Sequence, residues 1–387
     1  MRCLRRMQSA ERADSGIQRM RKLRAAAYIV LAFAVTRLSI LFLQADPLFH
    51  PGTAGYFQCA DALDRGGLDS YDFKFTPGYP ALILLAGFTP GRVVAAQMAL
   101  SLITALAVFR IAVRVTGRRA PSLASALLFS GLLNVMSFDC SLLPESLSTL
   151  LAVLSFAAFQ RVSEKPDAGR MLLLAAVTAL AVLTRPSLVT LIPSFAVLIL
   201  FAREPDHRIS RGSLFGSGLF ASLAMLPILA WMLVVKGRTS EFAIALADPG
   251  PGHGPGESVI SWIGNWMVSD PSPAFLAGLQ GRADTWAAAW EVQKFILALL
   301  TLAFLLWAVL PMAWKRLRPV SRSLVPFFAV ALPYSMLAAA VESADRRCMM
   351  PMTPLIIVAA LGAVWRLAAG QPVDVREGRP YWGGEIR

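Results

Sequence analysis

The sequence predicts an all-α polytopic membrane protein of about ten transmembrane helices, with short interfacial helices in its first outer loop. Three observations lead there. Hydrophobic residues make up 56% of the chain and charged residues only 16%, and mean hydropathy is +0.58. The apolar residues fall in runs close to the roughly 20 residues that cross about 30 Å of hydrocarbon. The charges divide into two populations set on alternate sides of those runs. Two or three soluble domains, the usual reading of 387 residues, do not fit this pattern.

In chain order, spans are expected at 25–44, 92–113, 120–136, 146–160, 171–185, 187–202, 214–235, 293–313, 323–341 and 348–367. Those at 120–136, 146–160, 171–185 and 187–202 are short, which suits tilted, broken or differently bounded helices. The Lys/Arg bias of short connections sets orientation. One side receives the arm with Arg2, Arg5, Arg6, Arg12, Arg19, Arg21, Lys22 and Arg24. It then receives Arg114, Arg118 and Arg119, next Arg161, Lys165 and Arg170, then Arg203, Arg208 and Arg211, and last Lys315, Arg316, Arg318 and Arg322. This side is read as cytoplasmic, and ten spans return the C-terminus to it. The expected organisation is a basic cytoplasmic arm over 1–24, a transmembrane domain over 25–367 with long outer loops at 45–91 and 236–292, and a cytoplasmic tail over 368–387.

The formal charge of +13 does not indicate nucleic acid, because the Arg and Lys fall in short clusters between apolar runs. No cleavable signal peptide is evident: the first apolar run lies behind the basic arm and is long enough to span. The four cysteines show no Cys-x-x-Cys spacing. Cys59, Cys140 and Cys348 fall on the outer side, where one disulfide among them could form.

The outer connections are different in character. After the first span, Thr53 to Leu63 reads as a short amphipathic helix that Gly66-Gly67 would end. Pro77 and Pro80 bracket a rigid Gly78-Tyr79 turn. The run Ala81 to Phe88 is too short to span and suits a helix at the interface. Glu145 opens a span in Leu-Pro-Glu-Ser-Leu. Arg185-Pro186 ends one, and its proline would free backbone groups to line a cavity. Arg346 and Arg347 lie before Cys-Met-Met-Pro-Met-Thr-Pro. A charged residue near a membrane is costly and tends to mark function. Each alone also fits an interfacial or snorkelling charge.

In order, Tyr56-x-x-x-Ala60-x-x-Leu63, Pro77-Gly78-Tyr79-Pro80, Glu145, Arg185-Pro186 and Arg347 with its two prolines resemble the GT-C membrane glycosyltransferases. The resemblance is to the branch of protein O-mannosyltransferase-like and aminoarabinose-transferase-like bacterial enzymes, and covers about 25–367. It implies transfer of a sugar from a polyprenyl-phosphate donor to a glycolipid, polysaccharide or protein acceptor, with inversion, on the periplasmic face of a bacterial inner membrane. Two positions depart from the family pattern. Gly52 stands where the family has an acid shortly before the loop tyrosine, and Thr76 stands where it has a base before Pro-Gly-Tyr-Pro, with Lys74 two positions back.

Such a reaction needs a general base on the acceptor, for which a carboxylate serves. It also needs a guanidinium fork or a metal for the phosphate that leaves. Asp46 is the candidate catalytic base, and Arg347 with Arg346 the candidate partner of the donor phosphate. Tyr56, Asp72, Lys74, Tyr79, Glu145 and Arg185 complete the candidate substrate-binding set. Asp46 otherwise reads as a helix-end acid, Asp72 as a turn former, Glu145 as a helix-dipole partner, and Arg346/Arg347 as a cluster with Glu342 or Asp345. No cofactor is certain, and a divalent metal has room in the scheme. His50 four residues after Asp46 lacks a third ligand. In the long loop, Val259, Trp262, Ile263 and Trp266 share one face of a helix expected to lie on the membrane.

Two other functions fit the span count. A transporter or lipid flippase would usually show an internal repeat or charges within spans. Arg37 and Arg110 are the nearest cases, and Arg37 would snorkel or pair with an acid in the bundle. A GT-C-like protein that binds a lipid-linked sugar without transferring it would account for Gly52. The sugar, the acceptor, metal dependence and the oligomeric state are not encoded in readable form.

Overall fold

The computed structural model describes residues 23–42, 47–50, 52–201, 211–245 and 351–368, with scattered positions between 292 and 334. The regular elements among the described residues are all helices, apart from one isolated parallel bridge between Leu48 and Ser141. In chain order the helices are α1 (Leu23–Phe42), α2 (Thr53–Asp64), α3 (Gly78–Leu85), α4 (Pro90–Thr116), α5 (Arg119–Gly131), α6 (Leu133–Cys140), α7 (Glu145–Glu164), α8 (Ala168–Thr184), α9 (Leu191–Phe201), α10 (Arg211–Thr239) and α11 (Thr353–Ala368).

Among the described residues, α1, α4, α7 and α10 are each long and apolar enough to cross a membrane, and α5 with α6 makes a fifth, broken span. The segments Ala168–Thr184, Pro186–Phe201 and Thr353–Trp365 are shorter apolar helices. They fall at the expected spans 171–185, 187–202 and 348–367. Of the expected span at 293–313 only residues 293, 296 and 299 are described, and of that at 323–341 only 325–327, 329–331, 333 and 334, while the membrane-surface helix expected over 259–266 lies outside the described residues.

Local chemistry sets the boundaries. The amide of Gly67 returns to the Ala62 carbonyl past Gly66 at φ 64°, a glycine-dependent stop for α2. Pro90 starts α4, where a missing amide hydrogen costs nothing. Asp167 caps α8 by accepting from the Arg170 amide at 2.9 Å.

One connection departs from expectation. The outer loop expected over 137–145 is helical to Cys140, so only residues 141–144 join α6 to α7. The expected span at 120–136 instead breaks at Leu132, whose extended backbone bends the pair by 51°. A break at membrane depth must re-satisfy the backbone groups it frees. Here Arg37 donates to the Ser130 carbonyl at 2.7 Å, and the Gln293 side chain accepts from the Leu133 amide at 2.7 Å.

The core is a continuous apolar cluster that includes Phe129, Phe156, Phe159, Phe195 and Phe220, with Phe159 stacked on Phe195 at 5.2 Å. Leucines and phenylalanines at 38, 172, 180, 215, 226 and 233 face outward, which suits a lipid-facing surface. Arg114 pairs with Glu164 at 3.6 Å, and Arg170 donates to the Arg161 carbonyl at 2.9 Å. The basic connections α4–α5 and α7–α8 therefore share one end of the bundle. Glu145 and Arg185 mark the opposite end.

The Pro-Gly-Tyr-Pro turn docks tightly there. A Cβ on Gly78 would lie 2.4 Å from Thr184 Oγ1 and 2.8 Å from the Leu183 carbonyl. Gly78→Ala is therefore expected to push α3 off α8, lowering the melting temperature in detergent and transfer activity together. Gly66→Ala, which meets nothing within 4 Å, is the strain-only control at φ 64°.

Cys59 and Cys140 are both buried and free, so the disulfide allowed among the outer cysteines does not join these two. Cys348 lies outside the described residues. Burial pushes the Cys59 thiol up to about 11. Its thiolate is scarce at neutral pH, and maleimide is expected to leave Cys59 unlabelled until the protein is denatured.

Candidate functional site

Five chain segments meet at the end of the bundle that carries Glu145 and Arg185. The first is residues 47–50, which arrive from α1 and bond to the α6–α7 connection. Leu48 donates to the Cys140 carbonyl at 3.0 Å and accepts from the Leu142 amide at 3.1 Å. The second is α2, whose Thr53 hydroxyl donates to the Leu142 carbonyl at 3.4 Å. The third is the turn leading into α3. Thr76 donates its hydroxyl to the Thr184 carbonyl at 3.1 Å, holding the turn against the residue before Arg185. The start of α7 and the end of α8 complete the set.

At their junction Glu145 and Arg185 form an ion pair, with Nη1 3.4 Å from Oε1. The residues are 3% and 8% exposed. Their positions follow from local sequence. Pro144 opens α7, so Glu145 sits in its first turn, where free amides and the helix dipole favour an anion. Pro186 stops α8 one residue after Arg185, whose backbone is extended.

Tyr79 is buried beside this pair. Its hydroxyl donates to Gln97 Oε1 at 2.9 Å, and the Gln97 amide donates to the Phe138 and Ser141 carbonyls at 2.9 and 2.7 Å. Burial pushes the Tyr79 phenol well above its ordinary range, and the Glu145 charge adds to the shift. Tyr79 is thus a neutral donor that tethers the turn to α4 and α6. Tyr56 meets Tyr79 edge-on with ring centres 5.0 Å apart and packs against Phe75 at 4.4 Å.

Asp72 and Lys74 lie in the loop between α2 and α3. Asp72 accepts from the Lys74 amide at 3.1 Å, and its carbonyl accepts from Phe75, so the carboxylate shapes its own turn. The neighbouring Tyr71 and Phe73 pack on Trp231 of α10, at 5.5 and 5.8 Å. Asp46, Arg346 and Arg347 lie outside the described residues. Among the described residues no three His, Cys, Asp or Glu side chains come close enough to hold a metal.

Gly52 does not need to be glycine. Its φ is −77°, and a Cβ there would have His50 and Tyr56 as nearest neighbours, each at 4.0 Å. Position 52 therefore has both backbone freedom and space for a carboxylate.

Sequence reasoning did not identify Gln97, Asp139 or Thr184. Gln97 stands as a polar residue within the apolar run of α4, a signal that was readable. Asp139 is fully buried and binds Arg37 at 2.8 Å, which answers the need for an acid that Arg37 carries into a span.

The family model described as dolichyl-phosphate-mannose-protein mannosyltransferase matches residues 80–231. The matched stretch contains Gln97, Asp139, Glu145 and Arg185. No curated protein matches the chain.

Proposed function

We propose that this chain, whose similarity over residues 80–231 supports a GT-C superfamily membrane glycosyltransferase, moves a sugar from a polyprenyl phosphate to an acceptor on the outer membrane face. The observation that carries the reading is the buried Glu145–Arg185 pair, set where the Pro-Gly-Tyr-Pro turn, α7 and α8 converge. A guanidinium held in a site of low water content stabilises charge that develops during reaction far better than one in bulk water. Glu145 holds that guanidinium in place before substrate arrives. In the proposed reaction the acceptor hydroxyl or amine attacks the anomeric carbon. Its proton passes to a carboxylate, and the glycosidic C–O bond breaks with its electrons leaving on the polyprenyl phosphate. Asp46 is the proposed base and Arg346 with Arg347 the proposed phosphate partners. Attack opposite the leaving phosphate inverts the anomeric centre. The matched family's printed name suggests mannose carried on a polyprenyl phosphate as the first donor to try. The basic connections face the cytoplasm in this scheme, and both termini lie there.

Comparing envelope glycolipids, polysaccharides and secreted proteins of a deletion strain with its parent by mass spectrometry tests the reading. Loss of one sugar mass from one acceptor, reproduced by purified protein, is the expected result. Unchanged glycans in the absence of a redundant homologue would move the assignment to transport or to a protein that binds the lipid-linked sugar without transferring it.

Gly52 keeps one rival specific, a protein that binds the lipid-linked sugar without transferring it. Asp46→Asn separates the two readings. If Asp46 is the base, transfer falls by about a hundredfold or more. Gly52→Asp added to that variant is then expected to restore part of the rate, because position 52 has room for the carboxylate. Full activity in Asp46→Asn alone sinks the base assignment.

A further inference from the structure

We infer that Arg37 and Asp139 are positioning residues, forming a buried clamp that sets the first outer loop and Glu145 in register across the α5–α6 break. This inference rests on the reading above.

The clamp joins α1 to α4, α5, α6 and α7. Arg37 Nε and Nη2 each lie 2.8 Å from Asp139 Oδ2, and Arg37 Nη1 donates to the Ser130 carbonyl at 2.7 Å. The other Asp139 oxygen accepts from the hydroxyls of Ser101 on α4 and Ser146 on α7, the latter at 2.8 Å. Five helices, α1, α4, α5, α6 and α7, thus converge on one ion pair, whose Asp139 and Arg37 are 0% and 3% exposed. The Arg37 guanidinium also lies 4.3 Å from the centre of the Phe33 ring, one helical turn back.

Two of these contacts lie directly beside the candidate site. Ser146 follows Glu145 directly. Cys140, next to Asp139, accepts from the Leu48 amide, and Ser141 pairs with Leu48. Arg37 lies on α1, which leads into residues 43–46 and the proposed base. A helix broken at Leu132 has no continuous backbone ladder to transmit position from α5 to α7. The clamp supplies that link with side chains. An ion pair serving only to hold the bundle would not need to close on both flanks of the site. An apolar filling of the same volume would hold the helices as well.

The test uses full-length protein in detergent with two readouts. The first is independent of any reaction. Cysteines replace Leu48 and Ser141 in a Cys140→Ser background, and their oxidative cross-linking reports docking of the outer loop. Adding Arg37→Gln with Asp139→Asn, which leaves no uncompensated charge, is expected to cut that cross-linking severalfold while the melting temperature holds. Ser146→Ala is the milder companion should the double variant not fold.

The second readout is transfer from undecaprenyl phosphate mannose to the acceptor found in the glycan comparison. The same variants, with native residues at 48, 140 and 141, are expected to lose about tenfold or more in kcat with donor KM within about twofold. Arg37→Lys, which keeps the charge, is expected to recover part of the loss. Unchanged cross-linking and unchanged kcat in a folded double variant would overturn the clamp. A wild-type protein that transfers nothing, yet whose cross-linking depends on Arg37 and Asp139, would overturn the enzymatic reading and leave the coupling standing.

Discussion

Asp139→Ala is expected to be the most damaging single substitution for stability, at about 3–5 kcal/mol. The carboxylate is fully buried and accepts from Arg37, Ser101 and Ser146. Its removal leaves the guanidinium inside the bundle with no counter-charge. The guanidinium is buried, and it cannot turn outward without leaving the Ser130 carbonyl that it satisfies at the helix break. Replacing both members by neutral residues should cost far less, because no buried charge then remains. Melting temperatures of the single and double variants in one detergent check this. The clamp inference predicts that the double variant stays folded and turns over slowly. A single variant as stable as wild type would mean that the pair is hydrated in the membrane.

Arg185→Ala is expected to have the largest effect on transfer, about a hundred- to a thousandfold in kcat, on the scale of losing one preorganised donor from a low-dielectric site. Part of that loss would come from Glu145, which is 3% exposed and would lose a 3.4 Å counter-ion. Arg185→Gln combined with Glu145→Gln separates the contributions. If Arg185 stabilises the leaving phosphate, the double variant stays slow although its buried charge is relieved. If Arg185 serves only to neutralise Glu145, the double variant recovers. Arg185→Lys keeps the charge but not the planar fork and is expected to fall between.

The helical character of the described residues and their long apolar helices were legible in the chain, because apolar runs of about 20 residues mark candidate spans directly. The long helices α1, α4, α7 and α10 lie where apolar runs were expected, whereas the run at 120–136 is broken at Leu132 and helix continues to Cys140. Gly66-Gly67 ends α2 as glycine chemistry requires, and Pro186 stops α8 beside Arg185. Two of the candidate site residues, Glu145 and Arg185, were marked by their expense near a membrane, and the fold sets them against each other. Asp72, in a loop beside aromatics, reads equally as a ligand or a turn former, and the structure shows its bond to the Lys74 amide.

By itself the sequence determined which described segments are long and apolar enough to cross a membrane, which connections carry the basic charges, and which polar residues would be costly within such segments. Those properties depend on residues within one span of each other. Which acid answers Arg37 was decided only by the tertiary structure, because the partners are 102 residues apart. The same holds for the break at Leu132, which a continuous apolar run conceals. A lipid solvent rewards any apolar side chain almost equally, so hydropathy carries no record of which helix face meets which. The few buried polar groups must find partners, and only packing shows which ones they found.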